Sequence, residues 1–116
     1  MIKSKISRAI VTDGNLAYQG SITIDRKIMD AAGIKPYEYV HINNINNAAH
    51  WETYAIPGNQ GEIILNGPPA RLFQPGDPIV ILSFLFIGSH EFDRFQHKDV
   101  FVNNKNEIVK INESSC

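Results

Sequence analysis

Short segments of alternating polar and apolar residues, separated by glycine, proline and asparagine, run along most of this chain. Ser21–Asp25 alternates at a period of two, which is typical of a half-buried strand. Residues 78–87 are almost continuously apolar, which favours a central strand. Turn-forming sequences at 13–15, 57–61 and 66–69 separate such segments. The pattern predicts a mainly β protein and favours a small barrel over a sandwich.

One short helix is predicted directly after the strand at 21–25. Asp25 is a suitable N-cap, apolar residues follow it at helical spacing, and Gly33 stands where a C-terminal cap belongs. A further helical turn at 70–73 brings the expectation to one or two short helices. Other strands are predicted at 6–12, 37–42, 51–56, 62–65, 100–102 and 107–111, with a loop at 43–47.

The composition predicts a single folded domain over residues 1–116. Apolar residues make up 43% of the chain and charged residues 20%, which argues against disorder. The net charge of −1 argues against a nucleic-acid partner. The N-terminus lacks an apolar signal segment, and the apolar run at 79–87 is too short to span a bilayer. We therefore expect a cytoplasmic protein with no membrane partner.

Cysteine and histidine give no sign of a disulfide framework or a metal centre. Cys116 is the one cysteine, so an internal disulfide cannot form. The four histidines do not pair with each other or with Cys116 at the spacing of metal ligands, so no metal is expected. P-loop, dinucleotide-binding and nucleophile-elbow motifs are also missing from the sequence.

The most informative segment contains Gly20-Ser21, just before the strand at 21–25. By itself this dipeptide is most often a turn before a strand, because glycine relaxes the backbone. It stands, however, in an ordered set with Lys5 before it and Thr53-Tyr54 and Asn66-Gly67 after it. Together these segments resemble the pyruvoyl-dependent aspartate 1-decarboxylases, over about three-quarters of the chain.

The resemblance implies a fold, an activity and a cofactor. The fold is a six-stranded double-ψ β-barrel that assembles as a homotetramer, with active sites between neighbouring subunits. The activity is conversion of L-aspartate to β-alanine and CO2 for pantothenate synthesis. The chain would cut itself between Gly20 and Ser21, giving a β chain of residues 1–20 and an α chain of residues 21–116. Ser21 would become a pyruvoyl group, the sole cofactor, with no metal and no pyridoxal phosphate. A maturation factor is a possible further partner.

The resemblance also assigns catalytic roles. Ser21 attacks the Gly20 carbonyl and later forms the Schiff base with the substrate, and Thr53 donates a hydrogen bond to the oxyanion during processing. Tyr54 is the proton donor, and Tyr18 orients the reacting group. From the residues alone, Thr53 fits better an inward-facing strand threonine satisfied by the backbone, and packing at a barrel rim is the commoner use of the tyrosines.

Substrate-binding roles come from the same resemblance, with departures. Lys5 is expected near the substrate carboxylate, and Asn66-Gly67 near the substrate, although Asn-Gly is also a common hairpin signal. His50 stands where the family usually has an arginine that binds a carboxylate. Pro68-Pro69 replaces the usual alanines, which stiffens the turn and is expected to narrow the pocket, and Ser7 stands where many relatives have histidine.

These departures leave two alternatives open. The enzyme could act on a different small L-amino acid, because a histidine is only partly charged near neutral pH and lacks arginine's planar fork. The chain could also be an unprocessed, non-catalytic barrel in which Ser21 never converts.

Overall fold

The computed structural model describes residues 1–15, 20–85 and 96–115. Nine strands, one α-helix and one 3₁₀ turn make up its regular structure within these ranges. In chain order the elements are β1 (Ile2–Ile10), β2 (Asp13–Asn15), β3 (Ser21–Asp25), α1 (Arg26–Ala32), β4 (Tyr39–Asn44), β5 (His50–Gly58), β6 (Ile63–Asn66), the 3₁₀ turn (Pro68–Arg71), β7 (Pro78–Phe84), β8 (Gln96–Val102) and β9 (Ile108–Ser115).

All nine strands belong to one hydrogen-bonded order, β2-β6-β3-β5-β4-β7-β1-β8-β9. The predicted mainly β class is confirmed. The apolar segment at 78–87 forms β7 up to Phe84, and β7 lies between β4 and β1 as a central strand should. The closure of the sheet as a six-stranded double-ψ barrel stays a prediction.

The helix α1 has the ends that its sequence predicts. The Asp25 carboxylate accepts a hydrogen bond from the Lys27 backbone N–H at 2.8 Å, which caps the first turn. Gly33 ends the helix in a left-handed conformation at φ 72°, where glycine has no Cβ penalty. The buried residues of α1 are Ile28, Met29 and Ala32, so its apolar side packs onto the core. With seven residues in α1, no helix in the described ranges is long and apolar enough to cross a membrane.

Three local predictions are wrong in detail, because strand pairing overrides turn chemistry. Residues 13–15 are not a turn but the short strand β2, which pairs in parallel with β6. The strand β5 continues through Pro57 and Gly58, where it pairs with β3 alone and a missing N–H is tolerated. The helical turn begins at Pro68 instead of residue 70, since proline suits a first helical position.

The core consists of apolar side chains from most of the strands and from α1. Its largest fully buried members are Phe73, Ile6, Ile22, Ile24, Ile28, Met29, Ile42, Ile63, Leu65, Ile79, Ile81 and Val11. These residues fix β6, β3 and β5 side by side, so the residues at the start of β3 and the end of β6 are held in register.

Candidate active site

The Gly20–Ser21 junction has an unusual backbone on both sides of its peptide bond. Gly20 has φ +143° and Ser21 has φ +145°, a region that side chains with a Cβ rarely adopt. Gly20 tolerates this conformation because it lacks a Cβ, whereas Ser21 stores about 1–3 kcal/mol of strain in it. Ser21 is also buried, with 2% of its surface exposed. The junction is therefore both strained and shielded from water.

Asn66 holds the Ser21 hydroxyl in place. The two residues face each other in the antiparallel pairing of β3 and β6. Asn66 Nδ2 donates hydrogen bonds to Ser21 Oγ at 2.9 Å and to Thr23 Oγ1 at 3.0 Å. The next residue, Gly67, has φ +100° and donates its N–H to the Asn15 carbonyl at 2.7 Å. The Asn66-Gly67 pair therefore fixes the position of the serine oxygen, which a hairpin turn alone does not require.

The inward face of β5 borders the junction from the other side. A Cβ built on Gly20 would lie 3.8 Å from ring atoms of Trp51, so the indole lies beside Gly20. Thr53 follows two residues later on the same face of the strand and is buried. Ala55, two residues further, pairs with Ile22. Thr53 therefore lies on β5 between Trp51, which borders Gly20, and Ala55, which pairs with Ile22.

A cavity of about 390 Å³ opens next to Trp51. Its lining residues are His50, Trp51, Pro68, Pro69, Leu72 and Phe73. Three of these, His50 and the two prolines, are substrate-binding candidates from the sequence. Because Trp51 borders both the cavity and Gly20, the cavity lies beside the junction and has the size of a small-molecule site.

His50 has partners for both ring nitrogens within the chain. Nδ1 lies 2.6 Å from Asn43 Oδ1, and Nε2 lies 3.1 Å from Glu52 Oε2. The hydrogen bond from Tyr39, followed by that from His50, holds the pKa of Glu52 below its usual value. The same contact raises the pKa of Tyr39. A substrate carboxylate at His50 would therefore compete with the carboxylate of Glu52.

Tyr54 lies on the strand next to Ser21, and Lys5 lies on a more distant strand. Because Ile22 pairs with Ala55, the face of β5 that carries Tyr54 is also the face of the sheet that carries Ser21. Tyr54 follows Thr53 on β5, lies on the opposite face with 41% of its surface exposed, and stacks on Tyr37 at 5.8 Å between ring centroids. Lys5 lies on β1, which β7, β4 and β5 separate from β3 in the sheet order, and its Nζ is 3.9 Å from Asp99 Oδ2. Tyr18 lies outside the described residues.

Comparison with known proteins assigns the family. A family model described as aspartate decarboxylase matches residues 1–109. The chain belongs to the aspartate decarboxylase family. It is 51% identical to an aspartate 1-decarboxylase of Carboxydothermus hydrogenoformans, over 97% of this chain and 91% of the relative. It is 50% identical to the Thermoanaerobacter pseudethanolicus enzyme of the same name, over 96% of this chain and 97% of the relative. The Salinibacter ruber aspartate 1-decarboxylase is 42% identical, over 95% of this chain and 77% of the relative.

The aspartate decarboxylase family depends on a pyruvoyl group, and the residues present fit one at position 21. The side-chain oxygen of Ser21 is buried and already receives a hydrogen bond from Asn66 Nδ2. The same amide donor would suit a carbonyl oxygen at that place, because a carbonyl also accepts. Gly20, Asn66 and Thr53 would hold the group from the surrounding strands.

Sequence reasoning missed the residues whose role depends on pairing between strands. The sequence pattern predicts that Trp51 lies in a strand, but nothing in the local sequence indicates its contact with Gly20. Thr23 shares the Asn66 amide with Ser21, and the period-two alternation of 21–25 does place Ser21 and Thr23 on one face. Glu52 and Asn43 as partners of His50 follow only from the register of β4 and β5.

Proposed function

We propose that this protein cuts its own chain between Gly20 and Ser21, acquires a pyruvoyl group at residue 21, and converts L-aspartate to β-alanine and CO2. As a member of the aspartate decarboxylase family it is a carboxy-lyase. The observation that carries the proposal is the buried Ser21 hydroxyl, held by Asn66 immediately after a strained peptide junction. In this proposal residues 1–116 form one domain, divided after cleavage into a β chain of 1–20 and an α chain of 21–116.

The first step is an acyl shift at the junction. Ser21 Oγ attacks the Gly20 carbonyl carbon, a C–O bond forms, the C–N bond breaks, and the amino group of Ser21 becomes free. Amide resonance opposes this step, since rotation about the bond alone costs about 18–20 kcal/mol. Strain of about 1–3 kcal/mol at Ser21 lowers the barrier but is too small to account for the step.

Hydrogen-bond donors must supply the rest of the stabilisation. The tetrahedral intermediate carries a negative oxygen derived from the Gly20 carbonyl, and the Thr53 hydroxyl donates a hydrogen bond to that oxygen. One such donor is worth about 2.7–4 kcal/mol. The role of Thr53 as this donor is supported by its burial on the face of β5 that borders Gly20. Asn66 contributes separately, by holding the attacking oxygen.

Processing then continues at residue 21. Loss of the Cα proton and of the Cβ–O bond releases residues 1–20 with a terminal carboxylate and leaves dehydroalanine. One water molecule replaces the nitrogen, and ammonia leaves. The net change is consumption of one water and release of one ammonia for each chain.

The pyruvoyl group, once present, supplies a ketone that captures the substrate amine and accepts the electron pair released with CO2. The chain's own residues position the substrate. The cavity beside Trp51 holds a small molecule against residue 21, with Pro68 and Pro69 as a stiff wall. Asn66 and Gly67 bind the substrate next to residue 21, where Asn66 Nδ2 donates to Ser21 Oγ, and Tyr54 returns a proton to the substrate Cα. Tyr18, two residues before the cut, orients the reacting group.

Lys5 enters the proposal through a neighbouring subunit. It lies on β1, and its ion-pair partner in the chain is Asp99. We assign it to the substrate carboxylate of an adjacent subunit's site in a homotetramer, where its positive charge would be shared between Asp99 and the substrate. Because both nitrogens of His50 have partners, His50 contributes to the cavity wall more than to carboxylate binding.

The substrate is tested by measuring CO2 release from a panel of small L-amino acids. We expect L-aspartate to be turned over fastest, with β-alanine as the second product and no release from the Ser21→Ala variant. The relatives named above are all aspartate 1-decarboxylases, which favours aspartate over another amino acid. Faster release from a different amino acid, or equal release from the variant, would contradict the proposal.

A further inference from the structure

The outward side of β4 and β5 carries a compact group of potential metal ligands. His41 pairs with Glu52, and Asn43 pairs with His50, in the antiparallel register of the two strands. Alternation along each strand places these four side chains on one face, opposite to Thr53. The histidines are far from metal-ligand spacing along the chain, which is why the sequence alone predicts no metal. Pairing across strands brings them together.

The distances within this group match those around a metal ion. His50 Nε2 lies 3.1 Å from Glu52 Oε2, and His41 Nε2 lies 3.7 Å from Glu52 Oε1. The ligand atoms of the three residues all lie within 4.8 Å of one another. Around a tetrahedral zinc with bonds of about 2.0–2.2 Å, neighbouring ligand atoms are about 3.3–3.6 Å apart. Small side-chain rotations would bring all three onto one ion.

The partner of His50 Nδ1 prepares its other nitrogen for coordination. Asn43 Oδ1 lies 2.6 Å from Nδ1, and an amide oxygen can only accept, so Nδ1 carries the hydrogen. With Nδ1 protonated, Nε2 is the nitrogen available to a metal ion, and when it gives up its proton its lone pair faces the Glu52 carboxylate, which is also an acceptor. A cation between the two would satisfy both. Hydrogen bonding of the second ring nitrogen is the usual way in which proteins orient a metal-binding histidine.

The His41 ring is fixed by aromatic neighbours. Its centroid lies 4.6 Å from that of Phe84, 5.2 Å from that of Tyr39 and 5.1 Å from that of His50. Tyr39 also donates its hydroxyl to Glu52. Ligands held in this way lose less side-chain entropy when an ion binds.

We propose that His41, His50 and Glu52 form a binding site for one divalent transition-metal ion of the zinc class. Two imidazole nitrogens and one carboxylate are a ligand set that suits zinc and its neighbours, and distinguishes the site from oxygen-only sites for calcium or magnesium. Three protein ligands leave at least one coordination position open for water or an anion. One ligand, His50, also lines the cavity beside Trp51, so an ion bound here would lie at the edge of that cavity.

The test is a titration of metal-free, full-length protein without a polyhistidine tag. Zn²⁺ binding is followed by calorimetry, and Co²⁺ binding by its visible absorption bands. We expect one ion per chain. We expect affinity to fall roughly tenfold or more in His41→Gln and in His50→Gln, and by about 10–100-fold in Asn43→Ala, which keeps all three ligands. Urea unfolding of each variant checks that it is folded.

His97→Gln is the matched control. His97 is also partly exposed and also lies near a carboxylate, with Nε2 3.9 Å from Asp99 Oδ2, but it is not part of the three-ligand group. We expect its affinity to equal that of the wild type. Absence of binding to the wild type, or binding that survives both His41→Gln and His50→Gln, would overturn the proposal. The titration does not depend on cleavage, so its failure would leave the proposed decarboxylase untouched.

Discussion

Two polar clusters of this protein, one at the Gly20–Ser21 junction and one on the outward face of β4 and β5, differ in their access to water. At the junction, Ser21 and Asn66 are 2% and 4% exposed. On the outward face, the side chains of His50 and Glu52 are 44% and 46% exposed. Within each cluster, the side chains are joined by hydrogen bonds. Hydrogen bonds in a buried site are strong and costly to break, whereas exposed pairs contribute little to stability.

The two clusters also differ in their backbone conformation. In the described part of the chain, Gly20 and Ser21 form the single pair of consecutive residues that both have positive φ. A buried, strained junction suits a bond that must break once. An exposed cluster without such constraint suits reversible binding of an ion. The predictions below test this difference, from the largest expected effect to the smallest.

Ser21→Ala should abolish both chain cleavage and decarboxylation, because the attacking oxygen and the precursor of the cofactor are removed together. Gel electrophoresis under denaturing conditions would show one uncut chain. Ser4→Ala is the matched control, because Ser4 is also fully buried but its hydroxyl has no hydrogen-bond partner among the described residues. This control should be cut like the wild type, and an uncut Ser4→Ala chain would point to general misfolding.

Thr53→Val should slow cleavage by about 10²–10³-fold, the usual cost of losing one oxyanion donor. The replacement keeps the shape of the side chain and removes the hydroxyl. The rate is measured by following the uncut chain with time after expression. Thr12→Val, which removes a hydroxyl bonded to the backbone of Ile63, should leave the rate unchanged. Equal rates in wild type and Thr53→Val would remove Thr53 from the mechanism.

Asn66→Ala should slow cleavage roughly two- to tenfold. The variant loses the hydrogen bond that orients Ser21 Oγ, and a net contribution of about 0.5–1.5 kcal/mol converts to that range. Thr23→Val leaves the Asn66–Ser21 bond intact and should be cut faster than Asn66→Ala. The same time course measures both variants, and the reverse order would contradict the role given to Asn66.

Glu38 provides a test of acid stability away from both clusters. Burial raises the pKa of Glu38, but hydrogen bonds from Lys3, Ser83 and the Lys35 backbone outweigh it and hold the pKa below 4.5. The stability from this carboxylate is present above pH 4.5 and is lost as the pH falls through the lower folded-state pKa. Urea unfolding across this range should show a shallower acid loss for Glu38→Gln than for the wild type. If stability fell with pH equally steeply in Glu38→Gln and in the wild type, the stabilising role given to this carboxylate would be contradicted.

Tyr39→Phe should have the smallest effect. Its hydroxyl donates to Glu52 on the exposed face, where water replaces the lost partner. We expect the urea midpoint and the cleavage rate to equal those of the wild type. A cleavage rate as slow as that of Asn66→Ala would show that the two clusters are coupled.

The sequence predicted elements whose signals are local. The alternation of residues 21–25 gave β3, and Asp25 and Gly33 gave both ends of α1. The sequence did not predict that residues 13–15 would pair with β6 or that β5 would run through Pro57, because such pairings depend on distant segments. Local turn chemistry was outweighed there by sheet hydrogen bonds.

The candidate site shows the same division. Gly20-Ser21 and Asn66 stood out in the ordered set of motifs, and the structure brings Ser21 and Asn66 into contact. The positive φ of Ser21, the contact between Trp51 and Gly20, and the grouping of His41 with His50 arise from tertiary packing. No periodicity in a single sequence encodes them.

The most direct test of the central claim is the mass of the purified protein under denaturing conditions. We predict two chains, residues 1–20 and residues 21–116, with the larger one lighter by one ammonia than a chain that begins with serine. The loss of ammonia distinguishes a pyruvoyl terminus from simple hydrolysis of the peptide bond. A single intact chain of 116 residues in a preparation that releases CO2 from aspartate would contradict the account.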